Sequence, residues 1–268
     1  MKLPLVSVVI PTFNRPDLLL RATESVFNQT YPNVEIIVVD DHSDTDFESF
    51  RKKYPKIKFY RNIENRGGCY SRNRGIKEST GVYVNFLDDD DELLPGKIEH
   101  QVKKFQESNQ SNLGFVTAHA EDNRSGQKII KLNKVQGDIY RQLLKGYAIS
   151  GIETLLIKRE CLIETGGFDK NLKSSQEYDL MIRLSEKYDV DYVDQVLSRE
   201  HRSSNQISLN FDKKISGAKY LFKKHNQRYR DIGTLFWMKM RLKLFGLICR
   251  YYIGKFFGER AYRLTILN

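Results

Sequence analysis

Apolar and polar positions follow two alternating periods through the first 110 residues. Leu5–Ile10 is a short, mostly β-branched run closed by Pro11, the pattern of a buried parallel strand. Over Pro16–Asn28, Leu18, Leu19, Ala22, Val26 and Phe27 fall on or near one helical face, and Asn14 is placed to cap that helix. Glu35–Asp40 predicts a second buried strand, Asp46–Tyr54 a short helix and Lys56–Arg61 a third strand. Gly68–Ser79 predicts a helix and Val82–Leu87 a fourth strand, and Pro95 suits the first turn of a helix reaching about Ser108. A βαβαβαβ series predicts a parallel sheet with right-handed crossovers and helices on both faces.

Beyond this half the pattern is less regular. Leu113–Ala120 and Thr154–Ile157 predict strands, Asp122–Gly126 a turn, and a short helix runs to Thr165 before a Gly166-Gly167 stop. Gln176–Tyr188 predicts a helix with Tyr178, Met181, Ile182 and Leu184 inward, followed by short strands at Asp191–Val193 and Val196–Glu200. From about Phe211 the character changes, with helices expected over Ser216–Arg230 and Leu235–Phe257. Trp237, Met240, Leu244, Leu247 and Tyr251 form a heptad-spaced apolar seam, and Lys239, Lys243 and Arg250 lie beside it. The longest uncharged run within Leu235–Phe257 is Leu244–Cys249, too short to cross a bilayer.

Charge sharpens this division. The chain has 268 residues and a net charge of +10. Residues 211–268 hold 14 Lys and Arg against 3 Asp and Glu, a net +11, so the other 210 residues carry −1 (+10 less +11). The basic character belongs to the C-terminal segment, which argues against a nucleic-acid partner for the whole chain. An amphipathic helix whose aromatics are flanked by Lys and Arg suits the plane of an anionic membrane surface. Hydrophobic content of 40% and charged content of 29% describe a globular protein. Cys69, Cys161 and Cys249 are widely spaced and odd in number, which argues against a disulfide framework and a Cys-based zinc site and fits a reducing compartment. The apolar run at Leu3–Pro11 is short and bounded by prolines, and reads as a first strand rather than a signal peptide.

The chemistry gathers at the strand ends. Phe86-Leu87 leads straight into Asp88-Asp89-Asp90-Asp91-Glu92, and five adjacent acids need a cation, a helix N-terminus or open water. The first strand ends at Pro11-Thr12-Phe13-Asn14 and the second at Asp40-Asp41-His42-Ser43-Asp44. In an open parallel sheet such tips share one crevice, so carboxylates distant in sequence converge.

Val8–Asn14, Val38–Asp41, Asn65–Gly68 with Ser71-Arg72-Asn73, and Leu87–Asp91 followed by Pro95 together resemble the ordered signature of glycosyltransferase family 2. The likeness covers roughly residues 5–208 and implies a GT-A fold, an α/β class with a mostly parallel central sheet. It implies a catalytic domain over 1–210, its nucleotide-binding half at 1–110 and its acceptor-binding half at 111–210, before a helical tail at 211–268. By the same resemblance Asp88 and Asp90 are metal ligands for Mn²⁺ or Mg²⁺, with His201 a further candidate. Pro11, Thr12, Asn14, Asp40, Arg72, Asp88 and Asp89 are the implied nucleotide contacts, Asp40 meeting the base and Arg72 the base or phosphate. Asp91 and Glu92 are instead expected to start the helix behind them.

Gly166-Gly167-Phe168-Asp169 and Gln176-Glu177-Tyr178-Asp179-Leu180 resemble the family's acceptor-side segment and imply Glu177 as catalytic base, with Asp179 the alternative. Two departures stand out: Gln176 replaces an acid, and Glu177 stands where Asp is commoner. The implied activity is inverting transfer of a sugar from a nucleotide-diphosphate sugar, UDP being expected. The acceptor would be a hydroxyl of a saccharide, lipid-linked where the tail meets the membrane, in bacterial surface-polysaccharide synthesis. That places the protein in the cytoplasm, peripheral at the inner face of the membrane. A sugar-nucleotide nucleotidyltransferase would carry a Gly-rich basic loop after the first strand, where this chain has Pro11-Thr12-Phe13-Asn14. A basic nucleic-acid-binding protein would not need the acidic crevice.

Overall fold

A computed structural model describes residues 3–123, 128–146, 149–201 and 210–267. The chain forms two compact units, one of Met1–Phe168 with Leu180–Ser203, the other of Asp169–Asp179 with Ser204–Asn268. The first unit opens with β1 (Val6–Thr12), α1 (Pro16–Phe27), β2 (Val34–Asp40), α2 (Glu48–Lys53), β3 (Lys58–Arg61), α3 (Gly68–Glu78) and β4 (Tyr83–Phe86). It continues with β5 (Glu92–Leu93), α4 (Lys97–Glu107), β6 (Leu113–Asp122), β7 (Ile129–Lys131) and α5 (Tyr140–Lys145). A 3-10 turn (Ile152–Thr154), β8 (Leu156–Lys158) and α6 (Arg159–Glu164) follow. Helix α7 (Gln176–Ser185) starts in the second unit and ends in the first, which closes with β9 (Asp189–Glu200).

These strands make one sheet in the order β3-β2-β1-β4-β8-β6-β9-β5, with β7 on β6. β1 is parallel to β2 and β4, β2 to β3, and β6 to β9. β8 is antiparallel to both β4 and β6, so β6 and β9 run with β1–β4, while β5, β7 and β8 oppose them. This is the expected α/β class, and its parallel half explains the continuous apolar runs. Val6, Val8, Ile10, Ile37 and Val38 are fully buried because helices cover both faces. Gly75 lets α3 lie flat on β1: a Cβ there would stand 2.2 Å from Val9 Cγ1.

Register positions the chemistry. Thr12 pairs with Asp40 across β1–β2, and Val9 pairs with Phe86 across β1–β4. β4 therefore ends three residues before β1, and continuing its register sets Asp89 level with Thr12. Chain order reverses between β1 and β4, the place where α/β sheets open a crevice.

Four local expectations are corrected. Arg15, not Asn14, occupies the N-cap of α1. Asn14 is left-handed (φ 56°), and its Oδ1 accepts from the Asp44 and Thr45 amides at 2.8 and 3.2 Å. Asp91 and Glu92 do not start a helix: Glu92 and Leu93 pair with Arg199 and Ser198 of β9, and α4 waits until Lys97. The strand expected from Thr154 begins at Leu156, because the left-handed Gly151 (φ 77°) leads into the 3-10 turn. The two short strands at Asp191–Val193 and Val196–Glu200 are one, β9, whose register against β6 shifts around His119. The turn expected over Asp122–Gly126 runs into residues outside those described.

In the second unit, α8 (Phe211–Lys224), α9 (Asn226–Ile232) and α10 (Thr234–Leu267) follow one another, α10 breaking at the left-handed Gly258 (φ 84°). Asn210 caps α8 by accepting from the Lys213 amide at 3.0 Å. The single helix expected over Ser216–Arg230 is divided at His225, whose ring is buried. Trp237 of the expected seam turns towards α9, its Nε1 donating to Asn226 Oδ1 at 2.7 Å beneath the Arg230 guanidinium. Tyr251 lies beside Lys214 of α8, and Met240 is buried. Among the described residues, no helix is long and apolar enough to cross a membrane.

Candidate active site

At the end of β4, carboxylate oxygens of Asp88, Asp90 and Asp91 all lie within 4.8 Å of one another. Asp91 is buried and the other two are half-buried. Burial, then Glu153, Asp88 and Asp90, push the Asp91 carboxyl well above the usual carboxylate range, although the His201 amide donates to its Oδ1 at 2.9 Å. Three converging hard oxygens suit Mg²⁺ or Mn²⁺. Asp91 thus lies beside Asp88 and Asp90, the two residues expected as ligands. The His201 ring pairs with Glu92 Oε1 at 2.8 Å.

Asp89 faces the β1–α1 junction. It accepts from Thr12 Oγ1 at 2.8 Å and Arg15 Nη1 at 3.1 Å, and Arg15 also reaches Asp90 Oδ2 at 3.4 Å. Burial pushes the Asp89 carboxyl up to about 6 against the pull of Arg15 and Thr12. Arg21 donates to the Asp90 carbonyl at 2.6 Å. The acid run is therefore fixed on one side by two arginines of the α1 segment, neither of which stood out in the sequence.

Arg72 of α3 fixes it on the other. Its Nη2 donates to Asp88 Oδ1 at 2.5 Å, and its guanidinium lies 5.4 Å from the Phe168 ring centroid. Asn73 holds Phe168 by a reciprocal pair: Nδ2 to the Phe168 carbonyl at 2.8 Å, and the Phe168 amide to Oδ1 at 2.7 Å. The Gly-Gly-Phe motif is thereby tied to α3.

Asp40 and Asp41, adjacent at the end of β2, do different things. Asp40 Oδ1 accepts from the Ser43 amide at 2.9 Å and hydroxyl at 2.5 Å, while its buried Oδ2 has no hydrogen-bond partner among the described residues. Arg61 Nε stands 3.7 Å from that oxygen. Asp41 accepts from Asn62 Nδ2 (2.8 Å), Ser71 Oγ (3.1 Å) and the amides of Arg66 (3.1 Å) and Gly67 (2.7 Å). It anchors the loop that leads into α3. Pro11 lies one position before them on the neighbouring β1, paired with Val39.

Glu177 and Asp179 stand in the first turn of α7. Glu177 is half-buried. Asp179 is fully buried, and its two oxygens meet His225 Nε2 at 2.9 Å and Lys224 Nζ at 3.0 Å. Lys224 also bridges to Asp169 Oδ2 at 2.7 Å. Burial holds the His225 imidazole below its usual range despite the adjacent Asp179.

The glycosyl transferase family 2 profile matches residues 7–163, the stretch that carries β1, β2, α3 and the acid run. The chain belongs to glycosyltransferase family 2. It is 31% identical over 253 residues to the putative colanic acid biosynthesis glycosyl transferase WcaA of Escherichia coli, covering 84% of this chain and 83% of that one. It spans only about a third of the length of two Rickettsia glycosyltransferases that it matches at 31% identity. Its fold is similar to S. aureus TarS 1-349 in complex with UDP-GlcNAc (TM-score 0.66, 16% identity, 81% of this chain and 66% of that one). It is also similar to mannosyltransferase PcManGT from Pyrobaculum calidifontis in complex with GDP-Man and Mn²⁺ (TM-score 0.64, 17% identity, 100% and 75%).

One feature of this family 2 chain has no sequence signal. Glu153, in the 3-10 turn, is buried near the acid cluster, held there by Asn85 Nδ2 donating to the Glu153 and Leu155 carbonyls at 3.1 and 2.6 Å. Burial, then Glu200 and Asp88, push its carboxyl up to about 8. Lys97, also fully buried, is held down to about 7 by burial and donates to Gln101 Oε1 at 2.6 Å.

Proposed function

We propose that this protein transfers a sugar, with inversion, from a nucleotide-diphosphate sugar to an acceptor hydroxyl. The observation that carries the reading is the convergence of Asp88, Asp90 and Asp91 where the sheet order reverses. UDP is the proposed nucleotide. TarS, of like fold, holds UDP-GlcNAc, and the buried Asp40 Oδ2, which accepts no hydrogen bond among the described residues, is an acceptor for the imide N–H of uracil. Thr12, Asn14 and Pro11 line the same strand end, and Arg72 meets the base or phosphate. In this reading residues 1–110 bind the donor and 111–210 shape the acceptor site.

Asp88, Asp90 and Asp91 would hold Mn²⁺ or Mg²⁺, in keeping with the Mn²⁺ of PcManGT, and His201 is a further candidate at the diphosphate. When bound, such an ion offsets negative charge on the departing diphosphate. Glu177 takes the proton from the acceptor hydroxyl as it attacks. One carboxylate base without a covalent intermediate gives inversion. Asp179, committed to Lys224 and His225, serves as the anchor of α7.

The acceptor is proposed to be a lipid-linked saccharide in surface-polysaccharide synthesis, reached at the inner face of the cytoplasmic membrane through residues 211–268. WcaA's role in colanic acid biosynthesis supports the polysaccharide and the +11 charge supports the membrane. The test is incubation with Mn²⁺ and a panel of nucleotide sugars. Donor binding with slow hydrolysis, lost in Asp88→Ala, is expected. Absence of both, or an Asp88→Ala variant that behaves as the parent, would discard the reading.

A further inference from the structure

Helix α10 has two apolar faces, and its own unit covers only one. Trp237 and Tyr251 face α9 and α8, and Gly254 lies so close to α8 that a Cβ would stand 2.3 Å from Phe211. At about 100° per residue, Leu235, Met238, Leu242, Phe245, Tyr252 and Phe256 fall together in a different arc of roughly 100°. Of these, Leu235, Leu242, Phe245 and Phe256 leave between 69% and 82% of their surface exposed. The line runs for about 32 Å along the helix. It is not the seam that the sequence suggested but the stripe beside it.

The residues bordering the stripe identify what covers it. Lys239, Lys243 and Arg250 lie along one edge and Arg241 along the other, all exposed. From Thr234 to Gly258 there is no Asp or Glu. A second copy docked stripe to stripe in parallel would bring Lys239 and Arg241 near like charges, with no acid between Thr234 and Gly258 to pair them. An anionic lipid surface fits both features: acyl chains accept the apolar line, and headgroup phosphates meet the basic edges. We propose that Leu235–Phe256 of α10 lies in the plane of an anionic bilayer, with Leu235, Leu242, Phe245 and Phe256 inserted and Lys239, Lys243 and Arg250 at the headgroups.

This inference rests on the reading of residues 211–268 as a membrane-binding segment and names the face that binds. The test is flotation of the full chain with vesicles of phosphatidylcholine alone or mixed with phosphatidylglycerol. Leu242→Glu/Phe245→Glu and Lys239→Glu/Lys243→Glu are compared with the parent. The parent should float with the phosphatidylglycerol vesicles and at least tenfold less with phosphatidylcholine alone. Both double variants should lose at least tenfold in partitioning while keeping the parent's melting temperature, because these side chains are exposed. No flotation of the parent, or flotation unchanged in Leu242→Glu/Phe245→Glu, overturns the proposal. So does a parent dimer in sedimentation that this variant dissociates, which would make a second copy the occupant. Mn²⁺-dependent UDP binding, measured on the same samples without vesicles, reads the catalytic proposal separately.

Discussion

Arg72 donates to Asp88 at 2.5 Å, joining the helix after the Gly67-Gly68 turn to the first acid of the cluster. Asp88 is a third exposed, whereas Arg72 is buried. The pair sets the direction of a carboxylate that is proposed to hold metal. A group that orients a ligand contributes about 10–100-fold in metal affinity or activity. Arg72→Ala should weaken Mn²⁺ binding by about that factor. Calorimetric titration of the variant with Mn²⁺ checks it, and Arg72→Lys should recover only part of the loss because Lys lacks the planar fork.

Glu177 and Asp179 separate by outcome. Glu177→Gln should keep the fold and the donor affinity while kcat falls about 10²–10⁴-fold, the range for loss of a general base. Asp179→Ala leaves the buried His225 without its carboxylate partner and Lys224 with Asp169 alone, and should cost about 1–3 kcal/mol of stability. Urea unfolding beside steady-state kinetics on both variants distinguishes a kinetic loss from a stability loss.

Asp41 should behave as a structural acid. Asp41→Ala leaves donors on Asn62, Arg66 and Gly67 without their acceptor and should destabilise by about 2–4 kcal/mol. Asp41→Asn retains one acceptor oxygen and should lose less. The midpoints of urea unfolding for the two variants give the comparison.

Glu35 provides a pH test away from the site. Burial works against its ionisation, but bonds from Lys58 (2.6 Å), Ser7 (2.5 Å) and Thr80 (2.7 Å) outweigh it and hold the carboxyl at about 2, against an ordinary 4.5. A depressed carboxyl stabilises the fold fully above its unfolded value, and that contribution fades as pH falls from 4.5 towards 2. Glu35→Gln should therefore lower Tm by about 2–4 °C at pH 7, equivalent to about 1 kcal/mol. The difference from the parent should shrink steadily below pH 4.5, as thermal melts across the acid range would record.

The parallel half of the sheet was legible in the sequence because its strands are buried on both faces, so β1, β2 and β4 are largely apolar runs, broken only by Ser7, Glu35 and Asn85, that close at Pro11, Asp40 and the acid cluster. The same runs displayed the motifs of the strand ends. Glu92-Leu93 was not legible as a strand: two residues of an acidic stretch acquire that role from β9, more than a hundred positions later. Glu153 was invisible for a related reason, since its environment is assembled by Asn85, Glu200 and Asp88 from distant segments. In α10 the spacing supported two apolar faces, and both carry basic neighbours. Only the packing of Trp237 and Tyr251 against α9 and α8 decides which face stays open.

The central claim is a nucleotide diphosphate held through metal at Asp88, Asp90 and Asp91. Titration of the purified protein with UDP, with Mn²⁺ and again with a chelator, tests it most directly when repeated on Asp88→Asn. Saturable binding that requires Mn²⁺ and weakens about 100-fold or more in Asp88→Asn is the predicted result, the removal of a metal ligand costing at least what the loss of its supporting groups does. Equal affinity in the chelator, or an Asp88→Asn variant that binds as tightly as the parent, would contradict it.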